Sequence, residues 1–513
     1  MLHLGPTLST TQAFAVFGSR IRSINRHPAN PDGRFVLYWM IAARRVRWNF
    51  ALQHAVNLAR EMRRPLILLE ALRCDYPWAN DRLHRFVLDG MLSNAREAAQ
   101  SRALYYPYVE PRRGAGRGLI RTLGQDACAI VTDWFPAFFL PRMVEAAGRV
   151  VPVRLEAVDS NGLIPLADHG KSFSSARSYR AFVQRELRRH LGCVPEDRPL
   201  ARLSSLPRPH MPAAVARRWS RTSRVQLAAP ALLARLPIDH DVPAAAMRGG
   251  SDAAARTLSR FLDAGLPHYA DHHNHPDANC TSRLSPYLHF GHISVHQVFA
   301  ALMTRERWTT RRLAKRGGGA REGWWGVSAS AEAFLDELVV WRELAYNGCE
   351  WTPEYEKYTS LPDWAQRTLA AHASDRRAHH YSFATLDRAE THDEIWNAAQ
   401  RQLKTEGWFH GYLRMLWGKK ILEWSPGPEA ALDRMARLMD RYSLDGRDPN
   451  SYAGYTWVLG RYDRPWPERP IFGTVRTMTS ESAKRKLRMK NFAGVWVKGE
   501  RFRKSSEQGS DTS

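Results

Sequence analysis

The stretch Glu406–Trp424, EGWFHGYLRMLWGKKILEW, contains no proline, and helix formers dominate it from Tyr412 onward. As a helix it places Trp417 and Trp424 nearly two full turns apart. Both indoles then share one face, roughly 10 Å apart along the axis. Arg414 and Met415 stand one turn ahead of Trp417, and a third indole, Trp396, lies upstream in THDEIWNAAQRQL. Such a helix is ordinarily a core helix. It also suits chemistry in which rings stack or pass electrons, and a chain with 18 tryptophans keeps that reading open. Helical patterns surround it at 253–264, 295–304, 331–346, 393–404 and 427–441, so this half of the chain reads as mainly α-helical.

The N-terminal part reads differently. Apolar runs at Phe35–Met40, Pro65–Leu72, Ala103–Val109, Ala129–Asp133 and Val151–Val158 alternate with helical patterns such as Trp48–Met62 and Leu83–Ala99. That alternation predicts an α/β domain with a doubly wound parallel sheet. No GxGxxG follows the first strand, and GAGRG at Gly114–Gly118 reads as a loop. The expected organisation is an irregular segment 1–33, an α/β domain 34–165 and a long linker 166–245 rich in Pro and Arg. A mainly α-helical C-terminal domain, 246–497, and a disordered polar tail, 498–513, follow. RLAKRGGGAREGWWG (312–326) reads as a basic, Gly-rich surface insertion.

A chain of 513 residues exceeds one core, which fits two large domains. No apolar run reaches the length of a membrane span, and no basic leader precedes an apolar block. Five scattered cysteines without a CxxC argue against a disulfide framework or zinc site and fit a reducing cytoplasm. His268, His272, His273 and His275 are irregularly spaced, so no metal site is expected. The net charge of +24 points to a polyanionic partner, with nucleic acid the leading candidate, although GC-rich coding also inflates arginine.

THDEIWNAAQRQL, HGYLRMLWGKKILEW and LDGRDPN together resemble the C-terminal half of class II cyclobutane-pyrimidine-dimer photolyases, flavin enzymes that use light to repair ultraviolet damage in DNA. Weaker phrases extend the likeness into the α/β part: YWM (Tyr38–Met40), Arg45-Val46 and Asn49 with Ala51-Leu52. The resemblance implies an antenna-type α/β domain, a helical domain that binds FAD and the DNA lesion, and ultraviolet-damaged DNA as partner. A soluble monomer in the cytoplasm, associated with the nucleoid on DNA, is expected. The α/β domain could hold an antenna pigment of the deazaflavin type, though no motif identifies one.

Residue by residue, hydroxyls and amides beside Arg283 in TSRLSPYLHFGHIS (Thr281–Ser294) suit a phosphate cradle, and an ordinary capped helix explains them as well. LSPYLHFG resembles the family's flavin-diphosphate segment, which makes Tyr269, Thr281, Ser282, Leu284 and Ser285 expected FAD contacts. Asp445, Asp448 and Asn450 of DGRDPN join them. Glu337 and Trp341 are i,i+4 on one helix and can face one cavity. The resemblance implies that Glu337 hydrogen-bonds the damaged bases and that Trp341, Trp457 and Met415 contact the lesion, as a flipped-out dimer requires. It pairs Arg414 with Asp445 beside the flavin ring, where a fixed positive charge favours an anionic reduced flavin. Trp396, Trp417 and Trp424 match the electron-transfer tryptophans, in an order the sequence leaves open.

The chain also departs from the family. Met439, in LMDRY, replaces the usual Asn next to the flavin N5, and Leu416 stands where a Tyr often precedes the proximal Trp. Tyr346 and Gly348 replace the Asp and Phe of ADNF, and Arg47-Trp48 replaces an acidic pair. The expected function is light-driven repair of pyrimidine dimers by electron transfer from reduced FAD. The alternatives are a cryptochrome-like photoreceptor without repair, which Met439 favours, and a flavin-free nucleic-acid-binding protein.

Overall fold

Residues 16–497 are described by the computed structural model; the expected tail, 498–513, lies outside them. Six strands form one sheet in the order β1-β6-β5-β2-β3-β4. These are β1 (Ile21–Ser23), β2 (Phe35–Met40), β3 (Leu66–Leu72), β4 (Leu104–Val109), β5 (Ala127–Trp134) and β6 (Leu155–Asp159). All neighbours run parallel except β1, which pairs antiparallel with β6 from Ile21–Val158 to Ser23–Glu156. The segment before residue 34 is therefore not wholly irregular. Three residues at a sheet edge carry too little alternation to announce a strand.

β2 is buried along its whole length and shows why the sheet needs cover on both faces. Phe35, Leu37 and Trp39 enter one core, Val36, Tyr38 and Met40 the other. Helices α1 (Phe50–Glu61), α2 (Asp81–Ala98), α3 (Leu119–Asp126) and α4 (Leu140–Gly148) connect the strands. The chain reverses its winding at β2, between β3 and β5, the place where such sheets open a crevice beyond the strand ends. Asp133, at the end of β5, holds that edge. Its carboxylate accepts the amides of Ile41, Ala42 and Ala43 at 2.8, 2.8 and 2.9 Å, and the Tyr38 hydroxyl at 2.7 Å.

Between 166 and 245 the chain forms short helices. In α5 (Ala176–Glu186), Tyr179, Phe182 and Val183 enter the core of the helical part. Arg180 pairs with Asp336 at 2.7 Å. The 312–326 stretch is not purely a surface insertion, because Trp324 and Trp325 are buried. The Glu332 carboxylate accepts the amides of Gly323, Trp324 and Trp325.

The helical part includes α6 (Ser251–Arg260), α7 (Val295–Arg305), α8 (Ala329–Leu335), α9 (Arg342–Trp351), α10 (Glu394–Glu406), α11 (Gly411–Trp424), α12 (Pro428–Tyr442) and α13 (Pro449–Val458). α8 runs into α9 through a π-helical segment, Asp336–Trp341, a geometry concentrated at functional sites. The Asp393 side chain caps α10, and Gly407 ends it with φ 68°, a left-handed turn that suits glycine. α11 then returns against α10. Among the described residues, no helix is long and apolar enough to cross a membrane.

Arg82 fastens the two parts together. It is buried on α2, and its guanidinium donates to the carbonyls of Pro243, Leu403, Lys404 and Tyr442 at 3.2, 3.2, 2.6 and 2.7 Å. It thereby caps the C-terminal ends of α10 and α12, where a cation suits the helix dipole.

Candidate functional site

The α10–α11 hairpin brings three indoles into contact. Trp396 and Trp417 stack with centroids 6.2 Å apart and planes 1° from parallel. Trp396 also meets Trp424 edge-on at 5.5 Å. Trp396 is thus the middle ring, and all three are buried. The Trp396 indole N–H donates to the Trp417 carbonyl at 3.0 Å, and that of Trp417 to Gln400 Oε1 at 2.9 Å. Helical spacing alone did not reveal the order, because Trp396 comes from the neighbouring helix.

Beyond Trp424 the aromatic line continues to the surface. Tyr381 packs on Trp424 at 5.2 Å, and its hydroxyl shares a hydrogen bond with His392 Nδ1 at 2.6 Å. His392 stacks on His379 at 3.8 Å. Sequence reading missed this cluster because no short motif joins its members.

At the other end of the line, Arg414 projects from the first turn of α11. Its Nη2 donates to the Asp445 carboxylate at 3.0 and 3.2 Å. Its Nε is buried with no partner, so one donor of this guanidinium remains to be satisfied. Burial pushes the Asp445 carboxyl up, but Arg414 and hydrogen bonds from Ser285 and Ser443 outweigh it and hold it below the usual range. The expected Arg414–Asp445 pair is therefore formed, and Ser285 reaches it.

Asp448, three residues on, caps α13 by accepting the Asn450 amide at 2.9 Å, and it accepts the Asn450 side chain at 2.8 Å. Its other oxygen takes His289 Nδ1 at 3.1 Å and the Tyr346 hydroxyl at 3.3 Å. Burial raises this carboxyl too, and His289 and Asn450 bring it below the usual range.

In the 281–285 segment, Leu284 is buried, Thr281 and Ser282 are half-buried and Ser285 is exposed. Arg283 pairs with Glu406 at 3.7 Å and lies 4.2 Å over the Trp408 ring. Tyr269 is buried against Phe261, Phe334 and His273. Burial and the charge of Glu337 raise its phenol well above the ordinary value.

Glu337 is open to solvent yet ringed by protein, the signature of a recess and not of a convex surface. That environment, with Asp336 alongside, raises its carboxyl to about 7. Trp341 is half-buried at the end of the same π-helical segment. Met415 and Trp457, both half-buried, sit on α11 and α13. A Cβ built on Gly454 would lie 3.7 Å from Met415 Cε, so Met415 packs on α13 one turn before Trp457. Met439 is fully buried in the core shared by α10, α11 and α12.

A separate aromatic cavity opens at the sheet's winding reversal, lined by Trp39, Tyr76, Phe135, Phe138 and Phe139 with Arg44. His289 and Arg447 also line it. His289 contacts Asp448, so the cavity abuts the 445–450 loop. Among the described residues, no group of three or more His, Cys, Asp or Glu side chains gathers as a metal ion would need.

No family model matches the chain. It is 35% identical over 481 residues to a protein of Methanothermobacter thermautotrophicus named deoxyribodipyrimidine photo-lyase, covering 93% of this chain and 98% of that one. Proteins of the same name from Oryza sativa subsp. japonica and Potorous tridactylus are 35% and 32% identical over 487 and 484 residues. These alignments cover 91% and 92% of this chain, and 88% and 83% of the relatives. In fold it is similar to the crystal structure of a bacterial class III photolyase from Agrobacterium tumefaciens. That likeness has a TM-score of 0.63 at 18% identity and covers 85% of this chain and 82% of the other.

Proposed function

The chain belongs to the deoxyribodipyrimidine photo-lyase family, and from that premise we propose that it repairs cyclobutane pyrimidine dimers in DNA by light through the residues gathered around Arg414 and Glu337. The family implies FAD. The groups present fit it: a buried Arg414 Nε still to be satisfied, Asp445 and Ser285 holding that arginine, and accessible hydroxyls at Thr281 and Ser282. When bound and reduced, FAD supplies the photoexcited electron that opens the cyclobutane ring.

The chain's own residues have the remaining tasks. Arg414 holds a fixed positive charge beside the ring site, and Asp445 and Ser285 orient it. Thr281 and Ser282 offer hydroxyls for the diphosphate, and Leu284 and Tyr269 anchor the neighbouring segments in one core. Asp448 and Asn450 fix the start of α13 and shape the same wall. Trp424, Trp396 and Trp417 carry electrons inward in that order, from the Tyr381 end of the line towards Arg414. At neutral pH Glu337 is partly protonated, so its O–H can donate to a carbonyl of a flipped-out base. Trp341, Met415 and Trp457 provide apolar surface for that base. The basic surface holds the phosphate backbone.

The unbroken ring contact from Trp417 to Trp424, starting beside the Arg414–Asp445 pair, supports these assignments most strongly. The relatives favour repair over the photoreceptor alternative. The aromatic cavity at the sheet's winding reversal is the proposed place for an antenna pigment, because Trp39 and the phenylalanines that line it offer stacking surface for flat rings.

Gel filtration of FAD-loaded protein tests the cofactor assignment. The wild type keeps its yellow colour through the column, whereas Asp445→Ala, which strands Arg414, loses about tenfold or more in FAD affinity. Equal retention would remove Asp445 from the cofactor site.

A further inference from the structure

Lys419 is a fully buried lysine on α11 that none of the roles above uses. Its ammonium donates to the Val458 carbonyl at 2.6 Å, at the last residue of α13. A cation there offsets the negative end of the helix dipole. The same Nζ lies 5.0 Å from the centroid of the Trp457 ring. The Arg476 guanidinium lies 5.6 Å from that ring and pairs with Asp463 at 3.0 Å. Trp457 is thus held by two cations while remaining half-exposed.

The backbone is arranged for this contact. A Cβ on Gly418 would come within 2.6 Å of Val458 Cγ2, so α11 approaches the end of α13 directly at this point. Burying an ammonium is expensive, and an apolar side chain would fill the same space at less cost. The charged groups facing Lys419 are Asp463, which favours the ammonium, and Arg476, which opposes it. Burial dominates and lowers Lys419 to about 7. A costly group kept in contact with an aromatic ring suggests that its task concerns the ring.

We propose that Lys419, with Arg476 as its outer partner, is a positioning residue that fixes the Trp457 ring for stacking on the pyrimidine dimer and so sets the preference for damaged over undamaged DNA. This rests on reading Trp457 as a lesion-stacking ring. The cation–π contacts restrict the ring's orientation before DNA arrives, and a preorganised ring loses less freedom on binding.

The test uses full-length, FAD-loaded protein in the dark at pH 6, below the value of about 7 to which burial lowers Lys419, so that its ammonium is charged. Dissociation constants are measured for a duplex carrying one thymine dimer and for the same duplex undamaged, with Lys419→Met, Trp457→Ala and the double variant. Lys419→Met should lose about tenfold in dimer affinity, the size of a desolvated cation–π contact, and keep its affinity for undamaged duplex. Repair at saturating substrate should remain close to wild type, which separates positioning from chemistry. The double variant should bind no more weakly than Trp457→Ala alone.

Wild-type dimer affinity in Lys419→Met, with Trp457→Ala weakened, would overturn the proposal and leave the stacking role of Trp457 intact. So would additive losses in the double variant. Wild-type affinity in Trp457→Ala would overturn the stacking role and the proposal with it. Arg476→Gln provides a second variant should the buried substitution prevent folding, because the Arg476 side chain is 39% exposed. It should lose part of the dimer preference, and full preference in that variant would contradict the account.

Discussion

Glu337 is the residue whose environment makes the sharpest claim. Its carboxyl is raised to about 7, so the protonated, donating form predominates below that pH and is lost above it. Repair by pre-reduced enzyme should therefore decline as pH rises from 6 to 8.5, the range spanning that value (roughly 1.5 units above it at the top). Glu337→Gln keeps an uncharged donor at every pH, so it should flatten this decline while sparing activity at pH 6. An unchanged profile in the variant would assign the decline to another group. The candidate role of Glu337 was legible only through resemblance, since an isolated glutamate four residues before a tryptophan describes many helices. Its recess was not legible, because the protein around it comes from distant segments, including that of Tyr269. Lys419 was invisible for a related reason: lysine in a KKILEW phrase reads as a solvated residue until α13 is seen packed over it.

At the scale of elements, the α10–α11 hairpin determines the order of the tryptophans. Trp417 and Trp424 share a face of α11, as their spacing required, but Trp396 of α10 lies between them. Trp396→Phe should therefore block most photoreduction of bound oxidised FAD and leave repair by chemically reduced enzyme near wild type. Time-resolved absorbance checks this, and undiminished photoreduction would mean that electrons bypass Trp396. The junction between α2 and the helical part makes a separate claim. Arg82→Met removes the guanidinium donor from the carbonyls of Leu403, Lys404 and Tyr442, of which Leu403 keeps the Gly407 amide. It should lower stability by on the order of 3 kcal/mol, read as an earlier unfolding midpoint in urea. An unshifted midpoint would show that water replaces the guanidinium. Helices and central strands were legible because their periodicity is local. β1 and the Arg82 junction were not, because each depends on a partner far away in sequence.

Across the whole molecule, the contrast between an alternating N-terminal part and a helical C-terminal part was legible in apolar patterning, and the net charge of +24 was legible as a preference for polyanions. Duplex affinity should accordingly fall steeply and linearly on a log–log plot against salt. Buried histidines set the response to acid. His84 and His410 are lowered to about 4, His169, His190 and His292 to about 3, and His296 further, in each case chiefly by burial. The unfolded chain takes up these protons below about 6.5 and the folded chain does not, so stability falls as pH drops from about 6.5 towards 4. Glu337 and Glu343, both raised to about 7, act in the opposite direction between about 4.5 and 7, but the histidines outnumber them. Urea midpoints at pH 7.5 and 5 check this, and a higher midpoint at pH 5 would contradict it. The measurement that bears most directly on the central claim is reversal of a thymine dimer in a short duplex by FAD-loaded, pre-reduced protein. Intact thymines recovered under blue light and none in darkness are the predicted result. FAD bound and photoreducible, with the dimer left whole in the light, would contradict it.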